Sequence, residues 1–163
     1  MKMLSTSMTA LCALLIAATP AARAAETAAA HAHHETAKAA PGNDAAAIRQ
    51  LLSHTFDKPG TPALKVEPLV VAGAHALVGW VQGERGGRAL LQRNSKGEWQ
   101  VTVCAGDGLK DPNLLQQAGV PNREASAMIT GTNRAESRLP AATLAKFASF
   151  EGLVRMDGHG HSH

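Results

Sequence analysis

The rhythm of apolar and polar positions changes several times along the 163-residue chain. Residues 8–18, Met8 to Ala18, are an almost unbroken apolar run bounded by Lys2 on one side and Pro20 on the other. Residues 25–42 are alanine-rich and polar, carry no apolar period and end in a Pro41-Gly42 stop, the pattern of a flexible leader. At Asn43 the spacing becomes helical. Asn43 can cap, Asp44 stands in the first turn, and Ile48, Leu51, Leu52, Thr55 and Phe56 recur on one face until Lys58-Pro59-Gly60 ends the helix.

From Leu64 the spacing shortens to that of strands. Leu64–Val71, Ala74–Gln82, Gly87–Arg93 and Glu98–Cys104 are strand-length runs, separated by Gly73, by Gly83-Glu84-Arg85-Gly86 and by Asn94-Ser95-Lys96-Gly97. Four successive strands with short turns predict an antiparallel meander. Helical spacing then returns. Asp111-Pro112 opens a short helix whose apolar face is Leu114, Leu115 and Ala118 and which Gly119 closes. A second helix is expected from Asn122 to about Arg138, with Ala125, Met128 and Ile129 inward and Gly131 weakening it. A third runs from Ala141 to Phe147, and Phe150–Met156 is a candidate last strand. This order predicts an α+β domain over residues 43–156, its N-terminal helix packed on a four-stranded antiparallel meander and short helices following. In shape the layout is analogous to the cystatin-like cone folds.

The first apolar run has the length of a signal-peptide core, too short to span a bilayer, and Ala22-Arg23-Ala24 places small residues where a signal peptidase reads. Residues 1–24 are therefore expected to be a cleaved signal peptide, giving an exported, periplasmic protein that is not membrane-embedded afterwards. Processing changes the charge. The formal +3 of the full chain loses Lys2 and Arg23, leaving 14 basic against 13 acidic residues, so the basic pI gives little support to a nucleic-acid partner. Three Phe, two Trp and no Tyr also leave too few aromatics for a base-stacking platform. Of the two cysteines, Cys12 departs with the signal and Cys104 remains without an internal disulfide partner.

Histidine is the residue whose distribution points to chemistry. His31, His33 and His34 stand in the leader, and His159, His161 and His163 alternate with Gly160 and Ser162 in a tail over residues 157–163. Neutral imidazole is the commonest protein ligand of copper, zinc and nickel, and a free imidazole is available near pH 7. An unstructured segment can wrap several rings round one ion, although ordering it costs entropy, which suits capture and exchange. Met156 adds a thioether of the kind that favours Cu(I); it equally reads as the end of a buried strand. The spacing alone allows Cu(II), Ni(II) or Zn(II).

Interior candidates are more ordinary. His54 is expected at the rim near the C-terminal dipole of the first helix, and His75, just after a turn, is expected to face solvent. Trp80 and Trp99 read as sheet-face packing, and Arg85, Arg88 and Arg93 as a solvated basic rim around the second hairpin. Cys104 packs as a small hydrophobe or serves as a thiolate ligand or nucleophile; the former is preferred, because neither His nor a second Cys is near it in sequence. Asp107 is expected to close a turn.

Gly79-Trp80, Gln82-Gly83, Arg85-Gly86-Gly87-Arg88-Ala89-Leu90-Leu91, Trp99-Gln100-Val101, Cys104, Gly106-Asp107-Gly108-Leu109-Lys110-Asp111, Gln117-Ala118-Gly119-Val120-Pro121 and the ending Met156-Asp157-Gly158-His159-Gly160-His161 together form a recognisable series. It resembles the small exported bacterial proteins called copper uptake system-associated proteins, over about residues 45 to 163. The Gly-Gly-Arg-Ala-Leu-Leu and Gly-Asp-Gly-Leu-Lys-Asp segments are its most specific parts. The resemblance implies a periplasmic accessory of copper acquisition that works with an outer-membrane copper receptor or with periplasmic copper chaperones, and it identifies no catalytic activity. The expected cargo is copper, as Cu(I) or Cu(II), held by the terminal histidines. Two competing classes are a cone-fold hydrolase or isomerase using Cys104, Asp107 or His54, for which no nucleophile, base and orienting group assemble in sequence, and an interaction module that binds its partner without metal.

Overall fold

Helix α1 (Pro41–Phe56) buries Ile48 and Leu52, one turn apart, and half-buries Leu51 and Phe56 beside them. Full burial of two such side chains contributes about 1.5–3 kcal/mol each, enough to hold a helix that would be marginal alone. The computed structural model describes residues 41–156, so the expected signal peptide, most of the leader and the 157–163 tail lie outside the described residues. The helix begins two residues before the expected cap. Pro41-Gly42 starts it rather than stopping the leader, since proline's missing N–H costs nothing in a first turn.

Five strands follow in one antiparallel sheet whose spatial order is the chain order: β1 (Lys65–Ala72), β2 (His75–Gln82), β3 (Arg85–Arg93), β4 (Trp99–Ala105) and β5 (Leu153–Arg155). The mixed α+β class and the meander are as expected, and the candidate last strand over Phe150–Met156 is present as the shorter β5. The second turn is tighter than expected. Gly83 adopts φ 62°, so Gly83-Glu84 alone reverses the chain and Gln82 already pairs with Arg85. In the longer β3–β4 turn the Asn94 side-chain carbonyl accepts from the backbone N–H groups of Lys96 and Glu98, each at 2.9 Å.

One irregularity decides what the sheet presents. Leu90 pairs with Val103 and Leu91 with Val101, so Thr102 is an extra residue in β4, its hydroxyl donating to the Leu90 carbonyl at 3.1 Å. Strict alternation would put Cys104 on the face opposite Trp99. The bulge switches the parity, and Cys104 joins Trp99, Val78, Ala89 and Leu91 on the face that α1 covers.

The other face carries Leu77, Leu90, Val103 and Ala105 and is covered by the helical segments that follow β4. A 3-10 turn (Asp107–Lys110) leads into α2 (Pro112–Gln117), whose N-terminus is capped by the Asp111 carboxylate accepting from the Asn113 N–H at 2.8 Å. Helix α3 (Asn122–Glu136) lays Ala125 and Met128 on this core, and α4 (Ala141–Ala148) buries Phe147 completely. Gly131 does not interrupt α3. A Cβ there would stand 2.8 Å from Val70 Cγ1, so the missing side chain is what lets α3 lie close on β1. The sheet is thus the middle of three layers.

Among the described residues no helix is long and apolar enough to cross a membrane.

Candidate functional site

Of the seven residues expected to bind metal, His31, His33, His34, His159, His161 and His163 lie outside the described residues, and Met156 alone is placed. Met156 is partly buried against the α1-side core, and its backbone N–H donates to the Thr102 carbonyl at 2.8 Å, extending the β4–β5 pairing by one bond. Its thioether has a packing role, whichever else it serves. The tail therefore leaves the domain from a point fixed on the β4 bulge.

That point is on the wall of a cavity of about 330 Å³. The sheet face is longer than the helix that covers it: α1 ends at Phe56, and beyond it Trp80, Cys104, Phe150, Val154 and Met156 line a hollow with Leu64. Trp80 and Phe150 meet edge to face, their ring centroids 6.0 Å apart. Gly87, opposite Trp80 in β3, is kept small because a Cβ would lie 2.9 Å from Phe150 and 3.0 Å from the indole. Lys58, Thr61, Gln82 and Arg85 supply the polar part of the lining. The Gln82 amide donates to the Phe56 carbonyl and to Asp57, both at 3.3 Å, and the Asp57 carboxylate also accepts from the Leu64 N–H.

Burial pushes the Cys104 thiol up from its ordinary 9.0 to about 11. At pH 7 the thiolate is then about one part in ten thousand, which makes Cys104 a poor nucleophile. Asp107, grouped with it as a candidate, is committed elsewhere.

On the opposite face is a buried ionic cluster. Arg88, 2% exposed, donates through Nε to Glu136 Oε1 at 2.7 Å and through Nη2 to Oε2 at 3.0 Å, a bidentate pair. Its Nη1 reaches Asp107 at 2.9 Å, and Lys110 Nζ reaches Glu136 Oε2 at 3.0 Å. The guanidinium also lies 5.3 Å from the centre of the Phe147 ring. Burial raises the Glu136 pKa, but hydrogen bonds and charge from Arg88 and Lys110 outweigh it and hold the carboxyl below its ordinary value. The expected basic rim is corrected here. Arg88 is inward because β3 alternation places it on the Leu90 face, where α3 supplies a carboxylate. The two segments most specific in the sequence thus contain Arg88, Asp107 and Lys110, which meet in one strand-to-helix staple.

Arg93 also leaves the rim: it pairs with Asp44 of α1 and covers the Trp99 ring at 4.5 Å, clamping α1 to the sheet. Arg85 stays exposed. His54 is exposed in the last turn of α1, as expected, whereas His75 is 4% exposed and its Nδ1 is 2.7 Å from Glu124 Oε2. Position in β2 turns this ring inward. His75 shares its face with Leu77, and α3 lies over it. Its Nε2 has no partner among the described residues.

Sequence reasoning missed Glu124 and Glu136 altogether. For Glu136 a signal existed: Ala125, Met128, Thr132 and Glu136 form one helical stripe, and an acid at the end of an inward stripe requires a cation. Among the described residues no group of three or more His, Cys, Asp or Glu side chains could hold a metal ion. No family model, curated protein or solved structure matches the chain.

Proposed function

We propose that the protein is a periplasmic copper-binding accessory of a copper uptake or trafficking system. Copper, as Cu(I) or Cu(II), is its cargo, with zinc or nickel as chemically permitted competitors. The terminal histidines capture the ion, and the folded domain docks a periplasmic copper chaperone or an outer-membrane copper receptor.

The observation that carries this reading is the partition of the histidines. Six of eight stand in two short terminal clusters, while His75 is used inside the fold against Glu124 and His54 stands apart on α1. Ion-binding capacity is thereby concentrated in the segments that flank the domain. Two further considerations support it. The Met156 N–H is tied to β4, and His159 follows three residues later, so covalent reach keeps its Cα within about 11 Å of Met156. The thioether of Met156 is thus close enough to join the imidazoles round a soft ion. The resemblance to copper uptake system-associated proteins points to the same cargo and compartment.

The test is a copper titration by calorimetry on the chain beginning at Ala25, with and without residues 157–163 and with His31, His33 and His34 replaced by alanine. Loss of binding in the doubly altered protein is expected; unchanged binding overturns the reading.

A further inference from the structure

We propose that the cavity between the end of α1 and the β4–β5 edge binds a small organic anion with an apolar body, of the class of medium-chain carboxylates. Its size, about 330 Å³, is within the range of small-molecule sites, and its walls are Phe56, Leu64, Trp80, Phe150, Val154 and Met156. The hollow follows from the architecture. The sheet face continues past the last turn of α1, where Trp80 and Phe150 pack on each other over Gly87 and form one wall of the hollow. Cys104 stands in the same wall and, with its thiol pushed up by burial to about 11, brings no charge there near neutral pH. An apolar ligand body therefore meets no buried charge.

The polar lining is unevenly committed. The Thr61 hydroxyl donates to the Lys58 carbonyl at 2.7 Å, and the Gln82 amide is used by Phe56 and Asp57. Among the neighbouring carboxylates, Asp57 holds the Leu64 N–H and Gln82, Glu84 pairs with Lys146 at 3.3 Å, and Glu151 lines with Glu84 and Arg85 an adjoining depression without coming within ion-pair distance of Arg85. That leaves the Lys58 ammonium and the Arg85 guanidinium on the lining with no carboxylate within ion-pair distance among the described residues. Two cations beside an apolar hollow select a ligand with one anionic head, and a planar guanidinium matches a carboxylate in two-point geometry.

Trp80 reports occupancy directly, and replacing Trp99 by Phe leaves it as the only indole in the chain. Metal-free protein in chelator would be titrated with octanoate, n-octanol and octylammonium while Trp80 fluorescence is followed, so the outcome does not depend on copper binding. Octanoate should give a saturable change and bind most tightly, the Lys58→Gln/Arg85→Gln variant should bind it about tenfold more weakly, and Val154→Phe, which fills the hollow from an exposed edge position without adding an indole, should not bind it. No saturable response to octanoate, or equal affinity for octanol or octylammonium, overturns the proposal. A chain ending at Met156 that binds octanoate more than tenfold tighter than the full chain would make the tail the natural occupant and overturn it as well.

Discussion

Arg88 of β3 and Glu136 of α3 face each other through two hydrogen bonds of 2.7 and 3.0 Å, with both side chains almost sealed from water. They are 48 residues apart in sequence, and their pairing fixes α3 against the sheet. Removing one partner leaves the other charge buried. Glu136→Ala is expected to lower stability by about 3–5 kcal/mol, whereas Arg88→Met/Glu136→Leu, which removes both charges, recovers most of that loss. Urea denaturation of the wild type, single and double variants measures it; equal losses in both variants would show that the pair is irrelevant as a pair.

The same carboxyl sets an acid limit. Because Glu136 is held below its ordinary 4.5 in the folded protein, the native state binds fewer protons there than the unfolded chain does. Its contribution is therefore complete above pH 4.5 and is lost as pH falls through the lower folded value. Thermal midpoints measured from pH 7 down to pH 3 should decline below about 4.5, and Glu136→Gln, less stable at neutral pH, should decline less steeply.

Gly73 is the hinge of the first hairpin, with φ 58° and with Glu124, the partner of His75, directly above it. A Cβ at Gly73 would stand 2.3 Å from Glu124 Oε1, and moving that carboxylate aside disturbs its contact with His75. Gly97, at φ 81° with nothing within 4 Å, carries the backbone strain alone. Gly97→Ala should cost about 1–3 kcal/mol and Gly73→Ala measurably more, read from thermal unfolding. Equal losses would show that the contact with Glu124 has no weight.

Cys104 should be chemically quiet. With the thiol raised to about 11 and the side chain buried, a disulfide reagent at pH 7.5 should label the folded protein at least a hundredfold more slowly than the urea-unfolded protein. Labelling at the unfolded rate would place the thiol in solvent.

Local pattern was enough for the elements. Ile48 and Leu52 at helical spacing, strand-length runs between glycine turns, and Asp111-Pro112 before Leu114-Leu115 each specify their conformation by contacts within a few residues. Side-chain environment was not legible in the same way. His75 looks like a turn residue and Arg88 like a rim cation until α3, some fifty residues later, brings Glu124 and Glu136 down on them.

The sequence by itself determined the order of helix and strands, the α+β class and the gathering of six histidines at the chain ends, because those are properties of composition and short-range periodicity. Only the tertiary structure decided which face each strand residue serves. One extra residue at Thr102 reverses the parity of β4 and turns Cys104 toward α1, into the wall of a cavity that exists because that helix stops short of the sheet it covers. Register and the relative lengths of packed elements are long-range quantities, and no window of the sequence contains them.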